Sequence, residues 1–141
     1  MLKRSKIEDD DELESAGPGA RSSQVLVVNT DSSSLELVCR LIEREGWTAH
    51  RSTIAEGVVD ELAERPFAGL VLDLPDLDSS LEIVRELRAS GGEAANTPVL
   101  VLTSTGGDES AALRAGADGF LARPFHADEL HQQAELVLGS L

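Results

Sequence analysis

Four short apolar runs in this chain each end in residues able to hold or accept a charged group. Asn29 and Thr30 follow Val25-Leu26-Val27-Val28, and Asp73 follows Gly69-Leu70-Val71-Leu72. Thr103 follows Val99-Leu100-Val101-Leu102, and Arg123-Pro124 follows Phe120-Leu121-Ala122. A carboxylate, hydroxyls, an amide and a guanidinium brought together approximate a site that accepts a phosphoryl group. The approximation fails on charge, because only one of the five side chains is an acid.

The runs are short, rich in β-branched residues and separated by helical patterns, so they are expected to be buried parallel strands. In open α/β sheets the ligand crevice lies beyond the carboxyl ends of the strands. Asn29 and Arg123, 94 positions apart, are therefore expected to meet in one pocket. Strands are predicted at about 24–29, 47–51, 68–72, 98–102 and 119–122. Helices are predicted at about 33–45, 53–64, 79–89, 108–115 and 126–138. Asp31-Ser32-Ser33 should cap the first helix and Gly46 should stop it. Ser52 or Thr53 should cap the second, Gly91-Gly92 should close the third and Gly116 should end the fourth. Right-handed crossovers then place helices on both faces of a parallel sheet. For five strands this predicts a flavodoxin-like (βα)5 fold of strand order 2-1-3-4-5, with its crevice between strands 1 and 3.

Composition narrows the function. The chain has 141 residues, 41% hydrophobic and 27% charged, which suits one soluble globular domain. Aromatic residues make up 3%, with no Tyr, so stacking platforms for bases or sugars are not expected. The formal charge is −14. Beyond residue 23 eight basic residues face 20 acidic ones, about −12, which argues against nucleic acid and for a basic protein surface as partner. No stretch is long and apolar enough to insert in a membrane, and the start lacks a signal-peptide pattern, so a cytoplasmic location is expected. The single cysteine, Cys39, excludes an internal disulfide framework and shares a helical face with Leu35, Val38 and Ile42, which predicts a buried hydrophobe. His50, His126 and His131 lack metal-ligand spacing, and Trp47 reads as packing. On the last helix Leu130, Ala134, Val137 and Leu141 form the expected core-facing stripe. Residues 1–23 read as a charged tail, disordered or ordered by a partner, ahead of a folded unit at 24–141. Its basic start, Met1 to Lys6, is followed by the acidic block Glu8 to Glu14.

In order and spacing, Val25–Val28, Leu70-Val71-Leu72-Asp73-Leu74, Pro98–Thr103 and Ala115-Gly116-Ala117-Asp118-Gly119-Phe120-Leu121-Ala122-Arg123-Pro124-Phe125 resemble the response-regulator receiver domain of two-component signalling and chemotaxis. The resemblance covers about residues 24–140. It implies an acid pair after strand 1, an acceptor Asp after strand 3, a Ser or Thr after strand 4 and a Lys after strand 5, with Mg²⁺ held by the acids and the acceptor. Here the acceptor is retained as Asp73, the hydroxyl as Thr103 and the switch aromatic as Phe120. The resemblance also implies that the peptide before Pro124 is cis. The acid pair is replaced by Asn29 and Thr30, and the lysine by Arg123. The loop Leu74–Ser80 is one residue shorter than the family pattern.

Charge arithmetic gives these replacements a meaning. Three carboxylates and one ammonium carry −2, which Mg²⁺ neutralises, whereas Asp73 and Arg123 nearly cancel. Mg²⁺ prefers one or two carboxylates and gives up its water reluctantly, so binding here is expected to be weak or absent, with no other cofactor. Without the metal, phosphoryl transfer loses its main stabiliser of developing charge. Arginine also offers a planar fork that grips a carboxylate through two bonds, where lysine offers a mobile point charge. The reading is a vestigial phosphoacceptor pocket holding a permanent ion pair. The chain is then a non-enzymatic, phosphorylation-independent docking module, an adaptor or a subunit of a larger protein complex. No output domain follows Leu141 in this sequence, so action through a partner protein is expected. The alternative is a genuine response regulator, phosphorylated at Asp73 by a histidine kinase. A third reading, a small flavodoxin-like redox or nucleotide binder, lacks a glycine-rich fingerprint after strand 1.

Overall fold

The computed structural model describes residues 22–104 and 107–139. Residues 1–21 of the expected tail, 1–23, lie outside them, while Ser22 and Ser23 are described and Ser23 O accepts the Thr48 N–H at 2.8 Å. Five parallel strands alternate with five helices: β1 (Gln24–Val28), α1 (Ser32–Glu43), β2 (Thr48–Ser52), α2 (Val58–Glu64), β3 (Gly69–Leu72), α3 (Leu77–Ala89), β4 (Val99–Thr103), α4 (Glu109–Ala115), β5 (Gly119–Ala122) and α5 (Ala127–Leu138). The sheet order is β2-β1-β3-β4-β5, the flavodoxin-like arrangement 2-1-3-4-5.

The strand sequences are apolar throughout because both faces are covered. Val25, Val27, Val71, Leu100 and Leu102 face one core with Leu35, Val38, Cys39 and Ile42 of α1 and Leu130, Ala134 and Leu138 of α5. Leu26, Val28, Leu70, Leu72, Val99 and Val101 face the other, with residues of α2, α3 and α4. Leu130 and Ala134 of the expected α5 stripe are buried and Val137 is partly so, with Leu138 buried beside them, while Leu141 lies outside the described residues. Trp47 is buried in the first core, at the amino end of β2 and away from the polar strand ends.

Boundaries differ where a local bond outcompetes the periodic pattern. The second helix starts at Val58 rather than near residue 53, because Gly57 adopts a left-handed backbone (φ 82°) that ends any turn before it. Ser52 bonds the backbone of Ile54 instead of capping the helix. The third helix starts at Leu77, two residues early, because the Asp76 carboxylate accepts the Asp78 N–H as its cap. A 3₁₀ turn at Glu93–Asn96 has no counterpart in the sequence reading.

At the amino ends of β4 and β5 one side chain organises the connections. Arg88 of α3 donates to the carbonyls of Ala95, Thr97 and Gly116 and to the Asp118 carboxylate, at 2.7–2.9 Å. Gly116 (φ 117°) is required there, since a Cβ would lie 2.8 Å from Arg88 Cγ.

Cys39 is fully buried, and burial pushes its thiol up to about 11. The unfolded chain ionises near the ordinary value, so between pH 9 and 11 it has released a proton that the folded state keeps. Stability is therefore expected to fall with rising pH in that window, by up to about 1.4 kcal/mol per unit. The chain has no Tyr, and its only lysines are Lys3 and Lys6, so the Cys39 contribution is isolated by comparing the parent with a variant that differs at Cys39 alone. Urea melts from pH 8 to 11 should show the slope in the parent and lose it in Cys39→Ala. An unchanged slope in the variant would contradict the assignment.

Candidate functional site

The polar residues converge because the backbone ladder continues one residue past each strand. The Asn29 N–H donates to Ser52 O (3.0 Å), Asp73 N–H to Val28 O (2.9 Å) and Arg123 N–H to Thr103 O (2.8 Å). Side chains at these positions leave the sheet at its carboxyl edge, over the β1/β3 crevice.

Asp73 is at the centre and is only 4% exposed. Arg123 reaches across the top of β4 and grips it with both terminal nitrogens, Nη1 to Oδ1 at 2.7 Å and Nη2 to Oδ2 at 2.6 Å. Asn29 Nδ2 donates to the same Oδ2 at 2.8 Å. The other end of the Asn29 amide is used as well, its Oδ1 accepting the Asp31 N–H at 2.8 Å. That bond fixes which way the amide points, so its nitrogen faces the carboxylate. The bond to Asp73 raises Arg123 above its ordinary value against the opposing effect of burial. Its ionisation is complete at any pH the protein meets, so the cation is permanent.

Two partners escaped the sequence reading. Arg123 Nη1 also donates to Ser104 Oγ at 3.2 Å, and the guanidinium carbon lies 5.2 Å from the centre of the Phe125 ring. Ser104 directly follows Thr103 and was legible as a polar residue past a strand end. The Phe125 contact depends on how the chain turns after β5, where the Arg123–Pro124 peptide is cis. Thr103 is fully buried at the end of β4, and Phe120 is partly buried against the second core. Thr30 is exposed, at the rim of the pocket. Asp31, one position further, caps α1 by accepting Ser33 N–H (3.2 Å) and Ser34 Oγ–H (3.0 Å).

These donors do not fit a divalent cation. Both Asp73 oxygens already accept N–H bonds, one of them two, and the neighbouring groups are an amide, hydroxyls and a guanidinium. Among the described residues no group of three or more His, Cys, Asp or Glu side chains is placed to hold a metal.

Beside the ion pair runs an apolar groove of about 390 Å³, lined by Leu37, Val38 and Leu41 of α1 and by Ser104, Arg123, Pro124 and Phe125. Leu37 is 62% exposed.

A doubly wound five-stranded sheet with an aspartate at the carboxyl end of its third strand defines a receiver-type α/β domain. Residues 25–135 match the family model of the response regulator receiver domain, and the chain belongs to that family. It is 32% identical over 111 residues to the cell cycle response regulator CtrA of Brucella ovis, covering 76% of this chain and 46% of that protein. The chain thus spans about half the length of the curated relatives it matches. A receiver-domain structure from Bermanella marisrubri aligns with a TM-score of 0.69 at 25% identity, covering 83% of this chain and 98% of the other. The receiver domain of a Pseudomonas aeruginosa sensor histidine kinase, solved with magnesium coordinated in its active-site cleft, aligns with a TM-score of 0.69 at 20% identity, covering 84% and 99%. Among the described residues no helix is long and apolar enough to cross a membrane.

Proposed function

We propose that this chain is a phosphorylation-independent receiver that works by docking to a protein partner in the cytoplasm, as an adaptor or a subunit of a larger complex. The observation that carries this reading is the Asp73 carboxylate, closed on both oxygens by Arg123 and Asn29. A phosphoryl donor needs a free carboxylate oxygen and a cation able to follow the transferred group. This pocket supplies neither. In this pocket the positive charge beside Asp73 is supplied by Arg123.

With the switch held in one state, recognition falls to the surface. The groove beside Arg123 is the docking patch on this reading, because Leu37 is apolar, exposed and next to the fixed pair. Apolar anchors carry most of the affinity in such contacts, while exposed charges tune association and are screened by salt. The net charge favours a partner with a basic or mixed face, met in part by the block Glu8 to Glu14.

The test is affinity purification of the tagged full chain from its own cell, read by mass spectrometry. A stoichiometric partner should be retained by Asp73→Asn and lost by Leu37→Glu. Loss of the partner in Asp73→Asn, with thermal stability unchanged, would favour the phospho-switch, in which a histidine kinase phosphorylates Asp73.

A further inference from the structure

A second groove, of about 280 Å³, lies between the amino-terminal parts of α2 and α3. It is on the opposite face of the sheet from α1 and α5, and the proposed docking reading makes no use of it. Ala55, Val59 and Ile83 give it a partly exposed apolar floor, continued by Ile54, which is 61% exposed. Glu56, Asp60, Glu82 and Glu86 line its sides. Among the described residues none of these four carboxylates has an ion-pair partner, and Arg85, the nearby cation of α3, is not part of the lining. Other acids also lack an ion pair among the described residues, Glu64 and Glu93 for example, but here four such carboxylates flank one partly exposed apolar floor.

An apolar strip between unpaired carboxylates suits a short segment carrying both aliphatic and cationic side chains. The sequence contains one such segment. Leu2-Lys3-Arg4-Ser5-Lys6-Ile7 holds both lysines of the chain and places its three cations between two aliphatic residues. We propose that this segment of the same chain docks in the α2–α3 groove.

Reach permits it. The chain enters β1 at the amino edge of the sheet, and the groove lies toward the carboxyl edge, so the segment must travel the length of the domain. The 15 residues from Glu8 to Ser22 span up to about 50 Å when extended, against roughly 35 Å across a domain of this size. Such a tether gives an effective concentration on the order of millimolar, so a contact too weak to form between separate molecules is populated within one. The acidic block that follows carries the same sign as the groove, so docking of the basic head would not draw it in. Docking of the basic head thus displays Glu8 to Glu14 to a basic partner surface.

A nitroxide placed by Ser5→Cys on the isotope-labelled full chain tests this, since Cys39 is fully buried and does not compete for the label. Amide signals of residues 55–60 and 79–86 should be lost selectively. They should return in Glu82→Lys/Glu86→Lys, and also at about 1 M salt, where the screening length is roughly 3 Å. Loss elsewhere, no selective loss, or loss that survives the charge reversal overturns the proposal. So does loss in unlabelled-thiol protein mixed with nitroxide-bearing protein, because the occupant would then be a second copy.

Discussion

Arg123→Met is expected to destabilise the domain by about 3 kcal/mol, the low end of the range for stripping one partner from a buried ion pair. The low end applies because the Arg123 side chain is 28% exposed, so water can partly replace it, while Asp73 at 4% stays enclosed. The loss comes mostly from the carboxylate left behind and much less from the attraction removed. Asp73→Asn should therefore rescue the arginine variant, since an amide of the same shape has no charge to desolvate and can still accept from Asn29. The double variant should be more stable than Arg123→Met alone, a coupling read by urea melts of all four proteins at neutral pH. An Arg123→Met protein within roughly 0.5 kcal/mol of the parent would show that the pair is a surface contact of little weight.

The second large effect is a gain. The parent should show no saturable response to magnesium with beryllofluoride, followed through the amide resonances of Asn29 and Asp73. Trp47 is a poor reporter for this, since it is packed at the far end of the sheet. Asn29→Asp/Thr30→Asp/Arg123→Lys takes the pocket from near neutrality to three carboxylates and one ammonium. It also removes the two groups that close Asp73. Magnesium should then bind at least about tenfold more tightly, through the carboxylate ligands the ion prefers. Saturable binding by the parent at low-millimolar magnesium or below would sink the phosphorylation-independent reading.

Much of this is legible in the sequence, for specific physical reasons. Strands such as Val99–Thr103 are apolar on both faces and bracketed by turn residues, so they are hard to misread. Asp73 and Arg123 could be matched because a strand end fixes where its next side chain goes. What stayed hidden depended on competition between local bonds. Nothing in the periodicity says that Gly57 will adopt a left-handed backbone, or that Asp76 will cap a helix two residues before the apolar pattern begins. The turn Glu93–Asn96 is too short to have a period. In the pocket, sequence types could not separate Asn29, which turns inward, from Thr30, which does not. The deciding bond is from the Asp31 backbone, one residue outside the pair. Phe125 stayed hidden because a loop path, unlike a strand end, is set by packing.

The reach of Arg123 over β4 to Asp73 has a consequence for how the domain breathes. A side chain from β5 gripping one from β3 spans three neighbouring strands at the carboxyl edge, and Arg88 does comparable work among the loops at the other edge. Local opening follows the least-tied element. One such element is the stretch from Thr53 to Gly57 that leads into α2, a seven-residue helix with no side-chain cap. In a receiver that switches, the pocket must yield. If the pair is permanent, as proposed, the pocket acts as a rivet, and local opening is expected first at that lead-in.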